Sequence, residues 1–340
     1  MQLNAEQKQA VALTSGRILV LAGAGSGKTG VIIQRTCYLI QKKRVPAAAI
    51  LGLTFTNKAA KEMRDRLKKT LGAAGNSVVF TTFHSFCVSV LRKDIAPLGY
   101  TSSFTLYDER DIVRLIKQLA RESGTEKTAL KPVVEMVQAS RSKGEVSSDP
   151  LAQKICSELK VAMRAYNAVD FDSLIDLTLT LFEKYPTILE KYQQQYRYIL
   201  IDEYQDTNPT QFRLVELLAK KYGNLFVVGD DDQSIYAFRG SDMKNILDFR
   251  YDHKVILQQN YRSIPEILKA ANHLISHNQS RHKKQLWCDK KDTTKIAVFH
   301  APCEEKEATA ITNRILYLLP QRGYQFEDIA ILYRSNILAR

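Results

Sequence analysis

Residues 22–29 read Ala22-Gly23-Ala24-Gly25-Ser26-Gly27-Lys28-Thr29, directly after the apolar run RILVLA at 17–22 and directly before a helix-like stretch. This is the [AG]xxxxGK[ST] phosphate-binding pattern, begun by Ala22 and set between a strand and a helix, the context that gives the pattern its meaning. Gly23, Gly25 and Gly27 let backbone N–H groups curl around phosphate oxygens, and the following helix adds its positive N-terminal end. Lys28 is the residue to neutralise the β- and γ-phosphates of ATP, and the Thr29 hydroxyl is the one to ligate Mg²⁺.

Outward from this loop, further short apolar runs occur at 49–55, 78–82, 198–202, 224–229 and 254–258. Their apolar character is continuous, as in strands buried on both faces. Helix-like segments at 30–41, 58–71 and 209–221 alternate with them, which predicts a parallel α/β fold. From about 85 to 195 no convincing strand interrupts the amphipathic segments at 111–121, 151–166 and 171–182, so an inserted helical domain is expected there. After residue 263 a helix (264–278), a basic piece (281–291) and two strands (296–300 and 328–333) flanking a helix (304–319) suggest the start of a further α/β unit.

A P-loop needs an acidic partner at a neighbouring strand end. The run YILI at 198–201 supplies it, ending in Asp202 and Glu203. Consecutive residues of an ideal strand cannot face one ligand, so two roles are expected at the strand terminus. Asp202 suits the magnesium shell and Glu203 suits the base that activates the attacking water. The alternative is an acidic pair at a solvated turn.

The 340 residues carry a net charge of +13, with 45% hydrophobic and 25% charged residues, a globular composition. Residues 1–100 hold most of the positive excess, while 201–250 is acidic, which suggests a polyanion partner beside a local carboxylate site. No apolar run approaches the length of a membrane span, and the N-terminus lacks a signal-peptide pattern, so a cytoplasmic protein is expected. The five scattered cysteines contain no CxxC pair and support neither a disulfide framework nor zinc.

Lys28 and Asp202 are 174 residues apart, a separation the helical insertion explains. The motifs LNAEQ at 3–7, AGAGSGKT at 22–29, TFTNKAA at 54–60, TFHS at 82–85, IDEYQDTN at 201–208, GDDDQSIYAFRG at 229–240 and QNYRS at 259–263 resemble, in order, those of the UvrD/Rep/PcrA-type superfamily 1A DNA helicases. The resemblance runs from residue 3 to the end. It implies a P-loop NTPase of RecA-like fold: a first ATP-binding domain (1–84 plus 196–263), an inserted all-helical domain (85–195) and an incomplete second RecA-like domain (264–340). Gln7 resembles the glutamine that reads adenine, although Asn4-x-x-Gln7 also has the form of a helix capping box. Gln233 resembles the γ-phosphate sensor. Arg262 resembles the arginine that stabilises the transferring phosphoryl group, and Tyr261 the ring on which adenine stacks, with a core tyrosine as the alternative. Family members usually carry Arg directly after the P-loop Lys-Thr, stacking on the other face of adenine, where this chain has Gly30, so looser ATP binding or relaxed base selectivity is expected.

Single-stranded nucleic acid is bound by stacking rings flanked by donors and cations. Three segments fit: Phe55-Thr56-Asn57-Lys58, Phe83-His84, and Tyr236 with Phe238-Arg239. All follow strands of the expected parallel sheet and so gather at its C-terminal edge. Hydrophobic core is the alternative for Phe55 and Phe83. The family usually has Trp at the position of Phe238, so weaker stacking is expected. The basic residues at 281–284 and Lys290-Lys291 fit either phosphate-backbone contacts or a solvated charge run. The resemblance implies an ATP- and Mg²⁺-dependent 3′→5′ translocase and helicase acting on single-stranded DNA and its junctions with duplex, with replication or repair proteins as partners. As an N-terminal half it is expected to hydrolyse ATP slowly and not to unwind alone. A non-catalytic DNA- or partner-binding module, or the motor of a recombination helicase-nuclease, are the alternatives.

Overall fold

The computed structural model describes residues 3–143 and 147–333. Six strands form one all-parallel sheet: β1 (Arg17–Ala22), β2 (Ile50–Thr54), β3 (Val79–Thr82), β6 (Tyr198–Ile201), β7 (Leu225–Gly229) and β8 (His253–Leu257), in the order β3-β2-β6-β7-β1-β8. The six strands expected between residues 17 and 258 are all present, with ends shifted by a residue or so. Between β3 and β6 lie two further strands, β4 (Thr105–Tyr107) and β5 (Ala168–Asp170), which pair in parallel. They correct the expectation of a strandless insertion. At three residues each they are too short to show a periodicity of their own.

The helices are α1 (Ala5–Ala12), α2 (Lys28–Gln41), α3 (Asn57–Leu71), α4 (Ala73–Asn76), α5 (Phe83–Asp94), α6 (Glu109–Glu122), α7 (Leu130–Lys143), α8 (Pro150–Ala165), α9 (Phe171–Lys184), α10 (Pro186–Gln195), α11 (Pro209–Ala219), α12 (Lys244–Leu247), α13 (Pro265–Ile275) and α14 (Glu304–Arg322). Capping side chains start several of them. Thr56 accepts from the Ala59 N–H to begin α3, and Thr82 accepts from the Ser85 N–H to begin α5. Each chain therefore turns into its helix straight after β2 or β3.

Strand alternation divides the core. Leu19, Leu21, Leu51, Leu53, Ile199, Ile201, Leu225 and Val227 join α5, α9, α10 and α11 in one buried cluster. Ile18, Val20, Ala22, Ile50, Leu200, Phe226 and Val228 join α1, α2 and α3 in another. Each buried Leu, Ile or Val contributes about 1.5–3 kcal/mol, so both faces of the sheet are held by burial. A third cluster, built on Ile112, Ile116, Val137, Ile155 and Leu159, belongs to α6, α7 and α8. The stretch 85–195 is thus divided: α5, α9 and α10 pack on the sheet, and α6 to α8 carry a core of their own.

Residues 1–292 form one compact unit and 293–340 a second. In the second, α14 is formed, but the strands expected at 296–300 and 328–333 are not. A strand exists only where a neighbour takes its N–H and C=O groups. Val298 is 92% and Leu332 93% exposed, and neither belongs to a ladder.

Candidate functional site

All six strands of the large sheet end on one edge, and every expected site residue follows one of those ends or, for Gln7, sits on α1. The loop after β1 turns into α2 at Gly27, whose φ of +85° favours glycine. No side chain caps α2 and no acidic residue lies in its first turn, so its leading N–H groups are left for an anion. A Cβ on Gly25, at φ +67°, would come within 2.7 Å of Asn260 Nδ2 and 2.8 Å of Arg262 Cβ. That closeness is how the segment after β8 meets the P-loop: Tyr261 N–H donates to Gly25 O at 2.9 Å and Asn260 Nδ2 to Ala24 O at 2.6 Å. Arg262 is exposed beside Gly25, and Tyr261 is 42% exposed with its hydroxyl on Gln259 Oε1 at 2.8 Å.

Gln7 is fully buried. Its Oε1 accepts from Asn4 N–H, closing the capping box, and its Nε2 donates to Ser26 O at 2.9 Å. The side chain is a helix cap and a tie to the P-loop at once, and both its polar atoms are engaged.

Asp202 and Glu203 follow β6. Glu203 takes a left-handed conformation, φ +49° and ψ +49°, a strained choice for a non-glycine residue that breaks the strand's alternation. Glu203 Oε2 lies 3.1 Å from Lys28 Nζ and accepts from Gln205 Nε2 at 2.9 Å. The Lys28 ammonium is buried and makes no hydrogen bond, its contact with Glu203 being an ion pair alone. Burial, with Glu203 adding repulsion, pushes the Asp202 carboxyl up to about 7. Asp206, whose Oδ1 is buried without a hydrogen-bond partner, is pushed up to about 6 by burial and then by Glu203. A buried ammonium short of donors' partners, beside carboxylates that resist ionisation, fits a polyanion carrying a divalent cation.

The aromatic residues follow β2 and β7. Phe55 stacks on Tyr236 with centroids 5.0 Å apart and planes 26° from parallel, and Tyr236 lies 6.0 Å from Phe238. Phe238 is 79% exposed. Thr56 is exposed, as are Asn57 and Lys58 at the start of α3.

The model described as "UvrD/REP helicase N-terminal domain" matches residues 3–254, and that described as "UvrD-like helicase C-terminal domain" matches 255–340. The chain belongs to the UvrD/REP helicase family. It is 40% identical to the ATP-dependent DNA helicase PcrA of Staphylococcus aureus (strain Mu50 / ATCC 700699) and 41% identical to that of Staphylococcus epidermidis (strain ATCC 12228 / FDA PCI 1200), in each case over 99% of this chain and 48% of the relative. The chain spans about half the length of these curated relatives.

Within this UvrD/REP chain two sequence expectations need correction. Phe83 is 3% exposed and packs with Leu51, Leu53 and Phe86 under the sheet, so it offers no face to a base. Its neighbour His84 remains at the edge, with its ring 6.2 Å from that of Phe171, which is 54% exposed; burial holds the imidazole below its ordinary value. Phe171 was not singled out from sequence, because an aromatic at the start of an amphipathic helix reads as core. The second correction concerns 281–284. Arg281 Nε and Nη2 hold Asp232 at 2.7 and 2.6 Å. Lys284 Nζ meets Asp230 Oδ1 at 2.9 Å, Asp232 Oδ2 at 2.7 Å and Asp231 Oδ1. Arg281 and Lys284 thus neutralise the aspartates after β7 and are largely buried rather than solvated. The Arg239 side chain lies outside the described residues. No helix among the described residues is long and apolar enough to cross a membrane.

Proposed function

We propose that this chain binds and hydrolyses MgATP and couples the cycle to movement on single-stranded DNA in the 3′→5′ direction, as the N-terminal part of a UvrD/REP-type motor. The observation that carries the reading is the unbonded Lys28 ammonium facing Glu203, on the sheet edge that also bears the Phe55-Tyr236-Phe238 row. Gly23 to Thr29 and the α2 N-terminus receive the phosphates, and Lys28 exchanges Glu203 for phosphate oxygen. Thr29 and Asp202 would hold Mg²⁺, which supplies charge neutralisation on the phosphates. As a ligand there Asp202 would give its proton to solvent and act as a carboxylate. Glu203, released from Lys28 and oriented by Gln205, takes the proton of the attacking water. Gln233 senses the γ-phosphate, Arg262 stabilises the transferring phosphoryl group and Tyr261 stacks on adenine. Gln7 holds the P-loop through Ser26, and an adenine contact would have to replace one of its present bonds.

On the nucleic-acid side, Phe55, Tyr236, Phe238 and the His84-Phe171 pair offer stacking faces, with Thr56, Asn57, Lys58 and Arg239 as backbone partners. The loop after β7 carries both Gln233 and Tyr236, so occupancy of the nucleotide site shifts the ring row with few intermediaries. Single strands and their junctions with duplex are the substrates of this reading, in a cytoplasmic setting with replication or repair proteins. ATPase activity with and without single-stranded DNA tests it: the wild type should be stimulated, and Lys28→Ala and Glu203→Gln should abolish the stimulated rate. Turnover indifferent to both substitutions would refute the assignment.

A further inference from the structure

The three aspartates after β7 lie within 4.8 Å of one another through their carboxylate oxygens, the arrangement of a cation site. The cation among them is the Lys284 ammonium. Its side chain is 2% exposed, and its three N–H donors meet three carboxylates. Three adjacent, largely buried carboxylates without a cation would repel one another and any polyphosphate brought near them. Lys284 arrives from the segment that follows α13, about fifty residues further along the chain, where Arg281 pins Asp232 with a two-pronged contact and also donates to Lys284 O at 3.2 Å.

Asp230 links this cluster to the chemistry. One carboxylate oxygen, Oδ1, faces Lys284, and the other, Oδ2, accepts from Gln233 Nε2. The Asp230 N–H donates to Gln205 Oε1 at 2.9 Å, and Gln205 Nε2 in turn donates to Glu203 Oε2 at 2.9 Å. A carboxamide nitrogen has two hydrogens. Fixing one on Asp230 sets the plane of the Gln233 amide and aims the second. The same aspartate therefore touches the cation, orients the amide and holds, through Gln205, the general base.

We propose that Lys284 is a positioning residue for ATP hydrolysis, holding Gln233 in its γ-phosphate-sensing orientation through Asp230. The inference rests on the nucleotide reading above and adds a residue outside the motifs that define it. Lys284 acts through two physical routes. It keeps Asp230 in place as an acceptor, and it cancels carboxylate charge that would oppose the γ-phosphate. Both routes act on a triphosphate and leave a diphosphate largely untouched. Arg281 acts on Asp232 and serves the anchoring of the segment.

The test is the ratio of dissociation constants for MgADP and MgATPγS, measured by isothermal titration calorimetry on the 340-residue chain. Wild type should prefer the triphosphate, and Gln233→Ala should lose about tenfold of that preference, the worth of one hydrogen bond to a charged group. Lys284→Met should lose a similar factor with MgADP affinity unchanged, and the Gln233→Ala/Lys284→Met double variant should lose no more than either alone. Lys284→Arg should restore part of the preference. Arg281→Met should lower the melting temperature and leave the ratio at the wild-type value. Asp230→Ala leaves Lys284 two carboxylates and removes the acceptor of Gln233, so it should reproduce the loss even if Lys284→Met does not fold. The inference is overturned if Asp230→Ala and Lys284→Met keep the wild-type ratio while Gln233→Ala loses it, or if Lys284→Met weakens both nucleotides equally. Equal ratios in wild type and Gln233→Ala would instead overturn the sensor reading, and this inference with it.

Discussion

The two halves of the sheet edge are built differently. On the side of β6, β7, β1 and β8, polar side chains are fixed by hydrogen bonds: Gln7 donates to the Ser26 carbonyl, Asn260 to the Ala24 carbonyl and Gln233 to the Asp230 carboxylate, and Gln205 accepts from the Asp230 backbone N–H. Elsewhere on the edge, Phe55 after β2 meets Tyr236 and Phe238 of the loop after β7, and His84 after β3 meets Phe171 at the start of α9, all of them at least partly exposed. Phosphoryl transfer needs donors and bases fixed to a fraction of an ångström, because fixed dipoles stabilise a transition state without reorganising. A strand that must slide needs faces that release one base and accept the next, which stacking provides without fixed partners. Substitutions on the first half should therefore act on rate, and on the second half on grip.

The largest test of that contrast is Glu203→Gln. The amide keeps the volume and the Gln205 neighbour but cannot take a proton, so DNA-stimulated kcat should fall by about 10²–10⁴. MgATP affinity should hold or rise, as the ion pair that competes for Lys28 is gone. A fall in affinity to match the fall in kcat would break the contrast. Next comes Phe83→Ala, expected to cost about 3–5 kcal/mol of folding stability in a urea titration because the ring is core. Were Phe83→Ala to keep its urea midpoint and lose DNA affinity, the correction of its role would be wrong.

The pH dependence of the free protein probes the fixed half. The Asp202 carboxyl is raised to about 7 in the folded chain against about 3.9 when exposed, so between those values the folded state holds more protons than the unfolded state. Stability must then fall as pH rises from about 4 to 7, by at most a few kcal/mol in order of magnitude, with Asp206 adding the same sign up to about pH 6. In metal-free buffer, Asp202→Asn should flatten this slope and raise the urea midpoint at pH 8. An unchanged slope would show that Asp202 is solvated in the free protein. On the other half, Phe238→Ala should weaken single-stranded DNA binding by about 1–3 kcal/mol, and Phe238→Trp should tighten it, with MgATP affinity in the absence of DNA unaltered in both.

What could be read in advance follows the same division. The strands were legible because each is a continuous apolar run, and the P-loop and the Asp202-Glu203 pair because their neighbours in sequence are their neighbours in space. Arg281 and Lys284 of the basic piece pair with aspartates about fifty residues earlier, and charge in one dimension does not show which charges meet. Phe83 stands directly after β3 and Phe238 nine residues after β7, and the turn of α5 into the sheet buries the first while the second stays exposed. The Glu203 backbone conformation had no sequence signal, since the left-handed region is ordinarily left to glycine.

The smallest expected effect is at Gly30, the third residue of α2, where the resemblance to the helicase motifs implies an arginine stacking on the second face of adenine. A guanidinium on a ring is worth about 0.5–1 kcal/mol at an exposed site, so Gly30→Arg should tighten ATP by roughly two- to fivefold. The same change replaces a glycine inside a helix and should raise stability by up to about 1 kcal/mol without nucleotide. Gly30→Ala separates the two: it supplies the helical gain and no stacking face. If Gly30→Arg and Gly30→Ala raise the melting temperature alike and only arginine tightens ATP, the gain is stacking. If both tighten ATP equally, the nucleotide is gaining from a firmer α2 N-terminus, and the fixed half of the edge would be limited by its backbone rather than by a missing side chain.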